Sequence, residues 1–165
     1  MQSAKKHWIF FLTAASSLAA DLFSKYLVFR LLPAFGDRAR VIPGFFDLVH
    51  SENRGGVFGL FPGWGGLLLP INVVAIAFIF YMQFGGMKPS KLGSFSLGLI
   101  FGGALGNVFD RLFYGFVRDF IDWHVGSHAW PTFNLADAFL CVGAGLLVIQ
   151  MAREEKAKKA SPVSQ

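Results

Sequence analysis

The chain is 165 residues long, 54% hydrophobic and carries a formal net charge of +5, with a mean hydropathy of +0.51. That length suits one domain, and that apolar content excludes an ordinary soluble protein. The single cysteine, Cys141, excludes an internal disulfide and a cysteine-cluster metal site, and reads as a small buried hydrophobe.

Four apolar stretches approach the roughly 20 residues that cross a bilayer as a helix. They cover about 8–28, 64–84, 92–113 and 134–151. Backbone polar groups in lipid must be satisfied internally, so the spans are expected to be helices. The expected fold is therefore an all-α membrane protein of four transmembrane helices, one domain over 1–165.

The first span follows Lys5-Lys6 and ends near Ser17-Leu18-Ala19-Ala20, which imitates a cleavable secretory signal. Asp21, Lys25 and the apolar run Tyr26-Leu27-Val28-Phe29 prolong the helical pattern, and an uncleaved span explains more. Asp21 and Lys25 are four apart with the acid first, the favourable order for an intrahelical pair. They read as a structural ion pair with Lys25 snorkelling to the interface.

The segment 31–63 contains Val41-Ile42-Pro43-Gly44-Phe45-Phe46-Asp47-Leu48-Val49, strand material broken by a Pro-Gly turn. Ser51-Glu52-Asn53-Arg54-Gly55-Gly56-Val57-Phe58 follows, its glycines permitting close backbone approach. A small β element on the membrane surface is expected here. Beyond the second span, a short polar link at 85–91 leads to the third. There Gly98, Gly102 and Gly106 recur every four residues beside Gly103. The stripe allows close helix packing. Asn107, Asp110 and Arg111 share a helix face at its far end and read as a supporting polar cluster.

The segment 114–133 carries Val117-Arg118-Asp119-Phe120-Ile121. If extended, it groups Asp119 with apolar side chains, where a carboxylate needs a partner. Asn134 with Asp137 three residues later imitates a capping box at the start of the last span. The tail beyond residue 151 is charged and is expected to be partly disordered. Trp8, Trp64, Trp123 and Trp130 fall near the expected membrane boundaries, as an aromatic belt would.

Charge favours both termini on the cytoplasmic side. Eight basic residues (Lys5, Lys6, Lys88, Lys91, Arg153, Lys156, Lys158 and Lys159) lie on that side, against seven on the other. The distribution follows the spans and argues against nucleic acid. Eight of the ten acids lie toward the expected outer side, so carboxylate chemistry belongs there. Asp119 and Asp137 both belong near the outer end of the bundle. Two carboxylates sharing a site cannot both ionise cheaply, so they titrate as a pair. One then draws a proton from water while the other, protonated, polarises a scissile carbonyl. The spacing allows this pairing and does not require it.

Taken in order, these clusters resemble the lipoprotein signal peptidase family, the type II signal peptidases of bacteria. Asp21-x-x-x-Lys25, Asn53-Arg54-Gly55-Gly56-Val57-Phe58, Gly102-Gly103-Ala104-Leu105-Gly106-Asn107-Val108-Phe109-Asp110-Arg111, Val117-Arg118-Asp119-Phe120-Ile121 and Phe133-Asn134-Leu135-Ala136-Asp137 each look like one of its boxes. Gly56 stands where a small residue such as alanine is frequent. The resemblance implies an aspartyl endopeptidase of the bacterial inner membrane, with cytoplasmic termini and an outward-facing site. It would cut a prolipoprotein on the N-terminal side of its diacylglyceryl cysteine, and the glycine stripe of the third span would leave a groove for the substrate's transmembrane signal helix. It implies Asp119 and Asp137 as the dyad, and Asn53, Gly55, Asn107, Arg111 and Asn134 as positioning residues. Asp21, Lys25 and Asp110 would give structural support. It implies no metal or cofactor, membrane lipid as surroundings, and a cyclic-peptide inhibitor such as globomycin.

Two other readings compete. Ser24 or Ser51 with Lys25 could mimic a Ser-Lys dyad, although adjacent helix residues such as Ser24 and Lys25 do not face each other. Intramembrane charges could instead form an ion path in a transporter. His7, His50, His124 and His128 show no convincing metal spacing; only His124 and His128 lie four apart, without a matching third ligand.

Overall fold

The structure, a computed structural model, describes residues 2–55, 65–85, 89–126 and 128–160. Gly56, Val57 and Phe58 of the glycine box, and Trp64, lie outside the described residues. The elements run α1 (Gln2–Leu31), β1 (Arg38–Ile42), β2 (Phe46–Asn53), α2 (Gly65–Phe84), α3 (Lys91–Phe113), β3 (Val117–Val125), β4 (His128–Ala129) and α4 (Leu135–Ala160). Among the described residues, three helices are long and apolar enough to cross a membrane: α2, α3 and α4.

Helix α3 is the centre of the bundle. It is buried over 67% of its span, against 11% for α2 and 17% for α4. Its glycines explain why. A Cβ at Gly98 would lie 2.8 Å from the Phe10 carbonyl oxygen, and one at Gly102 would strike Ser17 and Ala14. A Cβ at Gly106 would strike the Asp21 carboxylate, and one at Gly103 would sit 2.6 Å from the Ala136 carbonyl oxygen. The stripe is thus filled by α1 on one side and α4 on the other. It closes the helix contacts and leaves no room along itself for the signal-helix groove that the sequence invited.

The four strands form one antiparallel sheet in the order β1-β2-β3-β4. The β element therefore draws on both long connections, since β2 pairs with β3 from Phe46↔Trp123 to Asn53↔Val117. Gly44, at φ 76°, makes the turn between β1 and β2 that the Pro-Gly pair announces. His50 docks the sheet on the bundle: its Nδ1 donates to the Leu32 carbonyl at 2.7 Å, and its ring lies 4.0 Å from that of Phe29.

The Cys141 expectation is corrected. The residue is exposed on α4. A membrane helix need not bury its apolar side in protein, so an apolar thiol reads the same whether it faces lipid or core. Trp8, Trp123 and Trp130 are likewise exposed.

Candidate active site

The site is built where α3 ends. Gly115, at φ 78°, follows the last turn, and its N–H donates to the Arg111 carbonyl at 3.2 Å. This C-terminal cap reverses the chain, so β3 begins at Val117 and Arg118 returns to the helix it has just left. The Arg118 guanidinium donates to Asp110 Oδ1 from Nε at 3.0 Å and Nη2 at 2.7 Å. Its backbone N–H donates to Asp110 Oδ2 at 3.0 Å. A planar fork on a carboxylate fixes orientation as well as charge.

Asp110 also faces Lys25, whose Nζ lies 3.1 Å from Asp110 Oδ2 and 2.7 Å from Asp21 Oδ2. The same Nζ donates to Asn107 Oδ1 at 3.1 Å. An ammonium has three donors, and all three are engaged. Lys25 does not snorkel; it is fully buried, because Asp21 of its own helix is joined by the Asp110 carboxylate and the Asn107 amide oxygen of α3. Asp21 Oδ1 in turn accepts the Ala136 N–H at 3.0 Å, which pins the first turn of α4 to α1.

Asn134 sits at the focus. A β-bridge ties Phe133 to Ile121, with the Ile121 N–H donating to the Phe133 carbonyl at 2.8 Å. Asn134 is thereby held beside β3. Its Nδ2 donates to Asp119 Oδ1 at 2.6 Å and to Asn107 Oδ1 at 3.2 Å. Its Oδ1 accepts the Asp137 N–H at 3.0 Å, and Asp137 Oδ2 accepts the Asn134 N–H at 3.4 Å. This is the expected capping box. Asp137 Oδ1 accepts from Asn107 Nδ2 at 2.8 Å. Asp119 Oδ2 accepts from Asn53 Nδ2 at 2.9 Å, and Asn53 is set by the Gly55 N–H, 3.0 Å from its Oδ1.

Two carboxylates therefore share one asparagine. Asp119 is 1% exposed. Burial pushes its carboxyl up to about 7, and the charge of Asp137 pushes the same way; the amides of Asn53 and Asn134 oppose this. Arg111 donates to the Asn107 carbonyl at 3.2 Å and lies within the field of both carboxylates. All ten residues singled out from the sequence meet in this assembly. Arg118 escaped notice, although its place eight residues after Asp110, across a glycine, was the available signal.

The Ser-Lys reading loses its geometry. Ser24 Oγ donates to the Asp21 carbonyl at 2.9 Å, Ser51 Oγ lies 3.3 Å from Thr132 Oγ1, and the donors of Lys25 are spent elsewhere.

A match to the model of the family described as signal peptidase (SPase) II extends over residues 13–153. The chain belongs to the signal peptidase II family. A lipoprotein signal peptidase of Solibacter usitatus is 40% identical over 90% of this chain and 93% of its own length. One from Ralstonia nicotianae is 44% identical over 73% of this chain and 70% of its own. A solved bacterial membrane enzyme superposes with a TM-score of 0.83 at 28% identity, covering 94% of both chains, and a second with 0.76 at 29% identity, covering 86% of this chain and 91% of its own. Membership of this family makes the chain a membrane protease.

Proposed function

We propose that this signal peptidase II removes the signal peptide from bacterial prolipoproteins as an aspartyl endopeptidase, with Asp119 and Asp137 as its catalytic pair. The single observation that carries the reading is the bridging of the buried Asp119 and the half-buried Asp137 by Asn134. The substrate is a prolipoprotein already carrying diacylglycerol on a cysteine, and the bond cut is on the N-terminal side of that cysteine. Its acyl chains stay in lipid, which brings the scissile bond to the bundle end where the pair lies.

The pair holds one proton between its carboxyls. The ionised member takes a proton from water as the water oxygen attacks the scissile carbonyl carbon. The protonated member donates a hydrogen bond to the carbonyl oxygen and stabilises the tetrahedral intermediate. Collapse breaks the C–N bond, and a carboxyl proton passes to the departing cysteine amine. Asn53, Gly55, Asn107, Arg111 and Asn134 position the pair; Asp21, Lys25 and Asp110 brace the three helices around it. The chain spans the bacterial inner membrane four times, α1 included, with cytoplasmic termini and the site toward the outer face. A cyclic peptide such as globomycin would occupy the same site.

A gel-shift cleavage assay on a diacylglyceryl-modified prolipoprotein tests the reading. Asp119→Asn and Asp137→Asn keep the shape and remove the acid. Each is expected to lose about 10²–10⁴-fold in rate, the range of positioned acid–base catalysis. Normal cutting by either folded variant would remove that residue from the pair.

A further inference from the structure

The sheet carries a second cluster of acids, separated from the dyad by the alternation of β3. Asp119 turns to Asn134. Asp122, three residues on, turns to the other face, where it stands directly across from Asp47 in the β2–β3 register. His124 is two residues further along the same face, its backbone N–H fixed by the Phe45 carbonyl at 3.0 Å. Donor atoms of Asp47, Asp122 and His124 all lie within 4.8 Å of one another.

Both carboxylates are buried, 3% and 6% exposed, and burial of two like charges is costly unless they are compensated. Their neighbour is Arg38 on β1, whose Nη1 lies 2.6 Å from Asp47 Oδ2 and 2.5 Å from Asp122 Oδ2. One guanidinium against two carboxylates leaves the cluster a charge short. It also leaves Asp47 Oδ1 buried with no hydrogen-bond donor. Arg38 belongs to a strand exposed along its whole length, and its side chain is 47% exposed. Its side chain has solvent to swing into once another cation compensates its two partners, which stay where they are.

We propose that Asp47, Asp122 and His124 form a binding site for a divalent first-row transition ion, Zn²⁺ foremost, in which the ion takes the place of Arg38. One imidazole and two carboxylates suit Zn²⁺ and are softer than the all-oxygen set that Mg²⁺ or Ca²⁺ takes. A tetrahedral ion holds its ligands roughly 3.5 Å apart, so the site closes by a small movement of the partly exposed His124 ring and leaves a fourth position to solvent. The doubly charged ion supplies the missing charge and gives Asp47 Oδ1 a partner. It clamps β2 to β3, the strands that carry Asn53 and Asp119.

The site was invisible in the linear sequence, because His124 finds its companions in Asp122 on its own strand and in Asp47 across the sheet, and not in His128.

The test is Zn²⁺ binding to the purified, tag-free full chain in detergent, followed by equilibrium dialysis and by the shift in thermal unfolding. Wild type is expected to bind one Zn²⁺ saturably and to unfold at a higher temperature with it. His124→Ala is expected to weaken binding at least about tenfold, since even outer partners of a ligand commonly cost that much. Arg38→Gln removes the competitor and is expected to bind more tightly than wild type, which a merely structural role for Arg38 does not produce. His128→Ala is expected to bind as wild type does. Absence of saturable binding by wild type overturns the proposal, as does binding that His124→Ala leaves unchanged or that His128→Ala abolishes. Peptide cleavage is not the readout, so the outcome is independent of the dyad's role.

Discussion

Asp119 holds its proton far above the ordinary carboxylate range, near 7, through burial first and the Asp137 charge second. The acid is thus protonated in the folded protein over a range where the unfolded chain has already released the proton. Stability contributed by that proton is full below about 4 and declines as pH rises toward about 7. Thermal unfolding of wild type in detergent should therefore show a falling melting temperature across that window, and Asp119→Asn should lose that component. If Asp119 and Asp137 act as the proposed pair, activity should fall on the alkaline side of about 7, where the pair would give up its last shared proton and with it the acid proposed to polarise the carbonyl. A flat rate profile between pH 6 and 9 would count against a shared proton. Lys25 is a different kind of residue, engaged three ways and fully buried. Lys25→Met leaves the carboxylates of Asp21 and Asp110 with a lost counter-charge, and breaking such a buried pair costs about 3–5 kcal/mol. The expected result is a strong loss of folded protein, read as a lowered melting temperature, whereas a surface ion pair such as Lys159–Glu155 would cost at most about 1 kcal/mol.

At the scale of elements, α3 depends on having no side chains where α1 crosses it. Gly102→Leu would drive a branched side chain into Ser17 and the Ala14 backbone, and backbone cannot yield as a flexible side chain can. The helices must part, which pulls Asp21 and Lys25 away from Asn107 and Asp110. Loss of both fold and cleavage is expected, while Gly145→Ala, which meets nothing within 4 Å, should leave both intact. The Gly98, Gly102 and Gly106 spacing made this contact legible from the sequence, and apolar runs placed α2 and α3 closely, but α1 begins before its run and α4 continues as helix through the charged tail to Ala160, where disorder is the sequence expectation. The sheet was only half legible. The Pro-Gly turn marked its first hairpin, but no local pattern says that β2 pairs with a strand about 70 residues later in the chain. Burial on β3 also hides its alternation, since Val117, Arg118, Asp119 and Phe120 are all buried in succession. Helices α1 and α3 both pack against β3, so a polar residue such as Arg118 is drawn inward by Asp110 against its own hydropathy.

For the whole molecule, the direction of α1 decides the topology. Moving along α3 from Gly98 through Gly102 to Gly106, the contacts on α1 advance from Phe10 and Thr13 through Ala14 and Ser17 to Asp21. The two helices therefore run parallel. Helix α4 runs the other way, since Gln150 packs at Gly93 and Ala136 at Gly103. Helix α1 has 30 residues, about 45 Å at 1.5 Å per residue, more than the roughly 30 Å of a hydrocarbon core. Lying beside α3 from Phe10 to Asp21, it would cross the same slab, as the proposed four-span topology requires. Its composition falls short of an apolar span only because Asp21, Lys25 and several serines lie within it, and the two charges are neutralised against α3 with no lipid to face. Because β2 follows α1 and β3 precedes α4, and these strands pair, the C-terminal end of α1 and the N-terminal end of α4 lie at one end of the bundle. The N-terminus of the first helix and the C-terminus of the last then share the other end. Fluorescent-protein and alkaline-phosphatase reporters fused separately to the two termini should give the same answer at both: fluorescent, and inactive as a phosphatase, as for cytoplasmic ends. A phosphatase active at one terminus only would put three crossings in place of four and detach α1 from the membrane slab it shares with α3.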